Sequence, residues 1–161
     1  MELYLLRHAH AGDPMDWDGP DDRRPLSDKG QKQAARLGEF LAGVGFGADV
    51  FITSPKVRAA QTATSVAERL GLPVGEDERL GGVLGIGELE AILRDAGNPQ
   101  RAVIVGHDPD FSELVGLLCG ADRVPMKKGS LARIDISQPL EPGGGTLRWL
   151  VPPDLLRPAA G

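Results

Sequence analysis

The chain has 161 residues, of which 41% are hydrophobic, and a formal net charge of −5 at pH 7. That length suits a single domain over residues 1–161, and the apolar content argues against disorder. No predicted element carries a basic stripe, which argues against a nucleic-acid partner, and no apolar stretch approaches the ~20 residues of a membrane span. The N-terminus lacks the pattern of a signal peptide. We therefore expect a cytoplasmic protein, monomeric and without membrane association.

The first part of the chain predicts a buried strand, a long loop and a helix. Residues 2–7 (ELYLLR) form a short apolar run of the kind found in buried strands. Residues 12–25 are rich in aspartate, proline and glycine and predict a long surface loop, a type of segment that is often functional. Apolar residues at helical spacing follow Ser27, which is a plausible N-cap, and glycines within 43–47 end that helix.

A second buried strand and a second helix follow. Residues 49–53 (DVFIT) form the apolar run. Ser54 and Pro55 come next, and this pair predicts an N-cap followed by proline at the first helical position. Gly71 ends the helix, and residues 75–87 are glycine-rich with no clear assignment.

The C-terminal half completes an α/β pattern. It predicts a helix over 87–97, a strand over 101–106, a helix over 111–120 and strands over 130–137 and 146–151. Residues 152–161 are expected to form a loosely ordered tail. The element order is β-α-β-α-α-β-α-β-β, with three continuous apolar strands connected through helices. This order predicts a three-layer α/β/α sandwich with a mostly parallel central sheet.

Each of the three apolar strands ends on polar side chains. The first ends on Arg7 and His8, the second leads into Ser54 and Arg58, and the third leads into His107. Ligands of such sheets bind outside the carboxyl ends of the strands, so we expect these groups to converge on one pocket. Guanidinium groups and a helix N-terminus suit a phosphoryl group, and a neutral histidine can attack phosphorus. Without a carboxylate and histidine cluster at metal-ligand spacing, we predict phosphoryl transfer with no metal or cofactor.

Three blocks of sequence resemble the histidine phosphatase superfamily, also called phosphoglycerate mutase-like. They are LRHA (6–9), with alanine where the family has glycine, SPKVRAAQTA (54–63) and VGHDP (105–109). Two more stretches, RPLSDKG (24–30) and MKKGSLARID (126–135), are similar to its SixA-type phosphohistidine phosphatase branch. The blocks occur in the order typical of the family.

This resemblance implies a phosphoglycerate mutase-like fold and a set of catalytic roles. His8 is implied as the nucleophile that becomes phosphorylated, and Arg7, Arg58 and His107 as the phosphate pocket. The implied substrate is phosphohistidine on a signalling protein such as a phosphotransfer domain. Two alternatives remain open: a phosphatase of small phosphomonoesters that uses the same His8, and a non-catalytic phosphate-binding module.

Other polar residues have weaker interpretations. Ser54 is expected to cap a helix and to bond the phosphate side of the pocket. Arg24 is either a substrate-binding residue at the pocket mouth or a surface charge, and His10 is expected to line the rim. The aspartates of the long loop are interpreted as solvated, with the alternative that they repel wrong substrates; they are Asp13, Asp16, Asp18, Asp21 and Asp22. The single cysteine, Cys119, is expected to be a small buried residue.

A proton donor for the leaving group is not evident. Larger members of the superfamily carry a glutamate in an insertion, whereas residues 80–91 offer only Glu88 and Glu90, in a predicted helix. A phosphoramidate P–N bond is labile and its imidazole can leave already protonated, whereas an alkoxide needs an acid. The lack of an evident proton donor therefore favours phosphohistidine over sugar phosphates as the substrate.

Overall fold

A six-stranded sheet forms the centre of the computed structural model, which describes residues 1–158. The strands are β1 (Glu2–Arg7), β2 (Val50–Thr53), β3 (Gly75–Glu76), β4 (Arg101–Gly106), β5 (Leu131–Asp135) and β6 (Thr146–Val151). Their order is β3-β2-β4-β1-β5-β6. The first four strands in this order pair in parallel, and β5 and β6 join as antiparallel strands. The predicted mostly parallel sheet is confirmed, with an antiparallel edge.

Four α-helices cover the two faces of the sheet. They are α1 (Asp28–Gly43), α2 (Val57–Leu70), α3 (Ile86–Asp95) and α4 (Asp110–Cys119). Successive side chains of a strand point to opposite faces, so Leu3 and Leu5 of β1 pack with α3 and α4, whereas Tyr4 and Leu6 pack with α1 and α2. This alternation gives two hydrophobic layers and confirms the α/β/α sandwich.

The predicted helix ends lie within two residues of those in the structure, with α2 starting later and α3 ending earlier than predicted. Ser27 caps α1, because its Oγ accepts a hydrogen bond from the Gly30 N–H at 3.1 Å. Ser54 does not cap α2, which begins at Val57 with Lys56 as the capping residue. The Ser54 N–H still donates to the Val105 carbonyl at 3.0 Å, as in a strand. The backbone at Ser54 is therefore extended, and the helix starts only at Val57.

Two further segments differ from the sequence prediction. The two-residue strand β3 pairs with β2 inside the glycine-rich stretch that had no clear assignment. The tail is not loose throughout, because Pro153–Leu156 form a 3-10 helix in which Pro153 is buried; residues 159–161 lie outside the described part. Cys119 is half-buried at the end of α4. Within residues 1–158 no helix is both long and apolar enough to cross a membrane.

The first turn of α1 lies directly against the segment that follows β1. The Ser27 N–H donates to the His10 carbonyl at 3.0 Å. A Cβ atom at Gly30 would lie only 1.9 Å from that same carbonyl oxygen, so only glycine permits this approach. The contact therefore fixes the chain just beyond His8.

Replacing Gly30 with alanine should lower the free energy of unfolding by about 1–3 kcal/mol, because the backbone must move to relieve the overlap. Gly87 also lies in the first turn of a helix, but no atom lies within 4 Å of its added Cβ. Gly87→Ala should leave the free energy of unfolding unchanged or raise it by up to about 1 kcal/mol. Urea unfolding of both variants measures this difference, and equal stability of the two would contradict the close approach.

Candidate active site

The sheet brings the polar strand ends together as predicted. Arg7 pairs with Gly106 across β1 and β4, and Thr53 pairs with Val105 across β2 and β4. The residues that follow these pairs therefore share one edge of the sheet. The ring centroids of His8 and His107 lie 5.3 Å apart there.

His8 is held in one orientation by the backbone. Its side chain is 5% exposed, and its Nδ1 lies 2.8 Å from the carbonyl oxygen of Ala9. A carbonyl only accepts hydrogen bonds, so Nδ1 carries the proton and Nε2 carries a free lone pair. Burial lowers the pKa of His8 to about 4, helped by the nearby charges of Arg58 and Arg7. The ring is therefore neutral, with Nε2 available, at neutral pH.

Arg58 reaches the site from the first turn of α2 and is 6% exposed. Its Nη1 donates to the backbone carbonyl of Asp21 at 2.8 Å, and its Nη2 donates to the Asp21 carboxylate at 3.1 Å. Its Nε is buried and has no hydrogen-bond partner among residues 1–158. One edge of the guanidinium is thus anchored while another N–H stays unsatisfied.

Arg7 shows the same arrangement. Its Nη1 donates to the Met126 carbonyl at 2.6 Å and lies 3.3 Å from the Asp108 carboxylate. Its Nε is also buried without a partner in the described chain. Burial lowers the pKa of Arg7, and the charge of Asp108 opposes that shift. A buried N–H without a partner costs about 1–3 kcal/mol, so two of them beside His8 indicate a site for an anion.

His107 adds a third donor. Its Nε2 lies 2.7 Å from the Ser54 hydroxyl, which already accepts from the Lys56 N–H at 3.2 Å. The Ser54 hydroxyl has no other acceptor in residues 1–158, so it donates to Nε2 and the His107 proton resides on Nδ1. That Nδ1 is buried and without a partner in the described chain. Burial, then the adjacent His8 and Lys56, lower the pKa of His107 to about 3.

Arg24 and His10 lie beside these groups but have partners of their own. Arg24 is 8% exposed, so it is not a plain surface charge. It bonds the Asp21 carboxylate at 3.1 Å and the Ala11 carbonyl at 2.8 Å, and so holds the long loop in place. The Nδ1 of His10 lies 2.6 Å from the hydroxyl of Ser27, the cap of α1.

Three residues of the site have no predicted role from the sequence. Asp21 belongs to the loop aspartates interpreted as solvated, yet it contacts Arg58 and Arg24. Asp108 follows His107, pairs with Arg7 and accepts from the Ser112 N–H at 3.0 Å. Lys128 is half-buried, and burial, together with the charges of Arg7, Arg24 and Arg58, lowers its pKa. Of these three, only Asp108 and Lys128 could have been found from the sequence, because both lie in stretches that resemble the family.

The two glutamates considered as proton donors serve as structural acceptors. Glu88 accepts from the Gly85 N–H at 2.9 Å and closes the start of α3. Glu90 accepts from the Leu140 N–H at 2.7 Å. No group of three or more His, Cys, Asp or Glu side chains within residues 1–158 is arranged to hold a metal ion.

The sequence is similar to a known protein family and to several known proteins. The family model of the histidine phosphatase superfamily (branch 1) matches residues 3–92. An uncharacterized protein of Picosynechococcus sp. is 34% identical over 118 residues, which cover 70% of each chain. Phosphohistidine phosphatase SixA of Escherichia coli is 27% identical over 164 residues, which cover 99% of this chain and 98% of that one.

A solved structure of a phosphatase has a similar fold. The structure of the protein histidine phosphatase SixA complexed with tungstate superposes with a TM-score of 0.83 at 25% identity. The superposition covers 98% of this chain and 100% of that chain. These likenesses support phosphatase activity. With the family model matching more than half of its length, the chain belongs to the histidine phosphatase superfamily and has SixA phosphohistidine phosphatases among its relatives.

Proposed function

We propose that the protein is a phosphohistidine phosphatase that removes phosphate from protein phosphohistidine through a phospho-His8 intermediate, without a metal. One observation carries the proposal: neutral His8, with a free Nε2, is near two arginines and a histidine whose buried N–H groups have no partner in the described chain. Those groups are the Nε of Arg7, the Nε of Arg58 and the Nδ1 of His107. A nucleophile near unsatisfied donors suits the transfer of a phosphoryl group, whose oxygens can accept their hydrogen bonds.

In the first step, the His8 Nε2 lone pair forms a bond to phosphorus as the P–N bond of the substrate breaks. The electron pair of that bond returns to the imidazole nitrogen of the substrate. In the cationic form of phosphohistidine the other ring nitrogen already carries a proton, which stays there. The leaving imidazole is therefore neutral, and no side chain has to protonate it. Arg7 and Arg58 stabilise the charge on the phosphoryl oxygens, and each such charge pair at 4 Å contributes roughly 4 kcal/mol at a dielectric near 20. The neutral His107 contributes a hydrogen bond from its Nδ1.

In the second step, water attacks the phosphorus of phospho-His8. The P–N bond breaks, its electrons return to Nε2, and the proton from the water goes to the released phosphate. The Ala9 carbonyl holds the His8 Nδ1 proton throughout, so the ring ends the cycle in the tautomer in which it began.

The leaving group separates phosphohistidine from small phosphomonoesters. An alkoxide leaving from an ester needs an acid, and Glu88 and Glu90 are occupied as structural acceptors. The relative from Escherichia coli that matches over nearly its whole length is named a phosphohistidine phosphatase. Both observations support phosphohistidine as the substrate.

The proposal is tested by incubating the protein, and a His8→Ala variant, with a histidine-phosphorylated phosphotransfer domain and with a panel of phosphomonoesters in chelator. We expect rapid loss of phosphohistidine from the domain, no loss with the variant, and little turnover of esters. Faster turnover of esters than of the domain would move the function to a general phosphatase. No turnover of either substrate would leave a phosphate-binding module.

Arg58→Gln should lower kcat/KM about 10²–10³-fold, because it removes a buried donor aimed at the transferred phosphoryl group. Arg69→Gln changes an exposed arginine of the same helix and should leave kcat/KM within twofold. Steady-state kinetics with the phosphorylated domain measure both. A similar loss in the two variants would contradict the role of Arg58.

The low pKa of His8 predicts an unusual pH profile. The nucleophile must be neutral, so activity is retained above the pKa of His8 and falls as the pH drops through it. With that pKa at about 4, we expect no fall in kcat/KM as the pH is lowered from 7 to about 5. Initial rates over this range measure it, with substrate loss corrected by enzyme-free controls. A tenfold fall between pH 6.5 and 5.5 would contradict a neutral His8 in the free enzyme.

A further inference from the structure

We propose that a basic cavity beside His8 docks an acidic segment of the phosphohistidine-bearing protein, an inference that rests on the proposed function. The cavity has a volume of about 290 Å³ and lies between α1 and the C-terminal 3-10 helix. Its charged lining consists of Lys29, Lys32, Arg36, Arg157 and Asp154. Four cations and one carboxylate therefore surround a single cavity on a chain whose net charge is −5.

The positive charges of this cavity are not neutralised within the described chain. Lys29, Lys32 and Arg36 are spaced three and four residues apart along α1, so they share one face of the helix. None of them, nor Arg157, forms an ion pair with a carboxylate of residues 1–158, and Asp154 pairs instead with Lys127 at 3.3 Å. An uncompensated concave cluster concentrates positive potential and attracts acidic partners.

The wall of the cavity is continuous with the end of β1. Gln33 lines the cavity, and its Oε1 accepts from the His10 N–H at 3.0 Å. Gly129 donates its N–H to the His8 carbonyl at 2.9 Å. A Cβ at Gly129 would lie 3.4 Å from Pro153 and 3.5 Å from Gln33, both of which line the cavity. The residue bonded to the backbone of His8 is therefore a neighbour of two residues that line the cavity.

Lys128 extends the positive charge toward the nucleophile. It precedes Gly129 in the chain, is half-buried, and forms no ion pair within residues 1–158. Its charge and that of Lys29 both help to lower the pKa of His10, although burial of that ring is the larger cause. Lys128 and Lys29 therefore both lie near His10, which is two residues from His8.

A protein segment is the occupant that best fits this surface. The cavity is concave, so a flat membrane would not reach its lining, and the proposed substrate is itself a protein. Carboxylate side chains next to the phosphohistidine of that partner would enter the cavity while the phosphoryl group meets His8. Such contacts raise the association rate and set specificity, and they weaken as salt is added.

The test uses the full chain and a Lys29→Glu/Lys32→Glu variant, because both lysines are exposed and lie outside the phosphate pocket. The substrates are free phosphohistidine, a histidine-phosphorylated phosphotransfer domain, and that domain with the acidic residues around its histidine changed to amides. We expect the variant to raise KM for the acidic domain at least tenfold with kcat unchanged. Turnover of free phosphohistidine should stay within twofold, and the amide-substituted domain should give the same high KM with both enzymes.

A charge reversal far from the cavity tests whether added negative charge at any exposed site has the same effect. Arg94→Glu changes an exposed arginine of α3, on the opposite face of the sheet, and should leave KM for the acidic domain unchanged. Equal KM values for the parent protein and the double variant would overturn the docking site while the proposed function stands. Hydrolysis of neither free phosphohistidine nor the domain by the parent protein would overturn the proposed function, and the docking site with it. Tighter, lysine-dependent binding of phosphatidylserine vesicles or an RNA oligomer than of the domain would overturn the assignment of the partner.

Discussion

Parallel pairing of β4 with both β1 and β2 is the constraint on which the candidate active site depends. It places the residues that follow three strands at one edge of the sheet, where Arg7, His8, Ser54 and His107 meet. The strands are buried on both faces, so their ends cannot shift without disturbing two hydrophobic layers. The positions of the reactive groups are therefore fixed by the core before any ligand binds.

Charged and polar groups of this site are buried away from water, and two features of the site offset the cost of that burial. The histidines stay neutral, with the pKa of His8 at about 4 and that of His107 at about 3. The arginines have partners of their own, because carboxylates and carbonyls accept hydrogen bonds from their Nη atoms. What remains is a set of N–H groups that no atom of residues 1–158 satisfies and that a phosphoryl group can satisfy.

Much of this site could be predicted from the sequence because strand ends are visible as apolar runs that stop at polar residues. The contacts made by Asp21 could not be predicted, because a loop aspartate looks solvated until the fold places an arginine against it. The Ser-Pro pair predicts that Ser54 caps α2, whereas the Ser54 hydroxyl lies 2.7 Å from the Nε2 of His107. The sequence does not show this contact, because the two residues are 53 positions apart. The basic cavity was hidden because its charges come from α1 and from a C-terminal segment more than a hundred residues away.

The most direct test of the account is to find where the phosphate resides during turnover. The protein is mixed with a histidine-phosphorylated phosphotransfer domain, quenched in alkali within milliseconds, digested and analysed by mass spectrometry. We expect a phosphorylated peptide with the phosphate on His8, present transiently in the parent protein and missing in His8→Ala. Rapid loss of phosphate from the domain with no phosphate on His8 at any time would contradict the proposed nucleophile. Phosphate on His107 or His10 instead would contradict it equally.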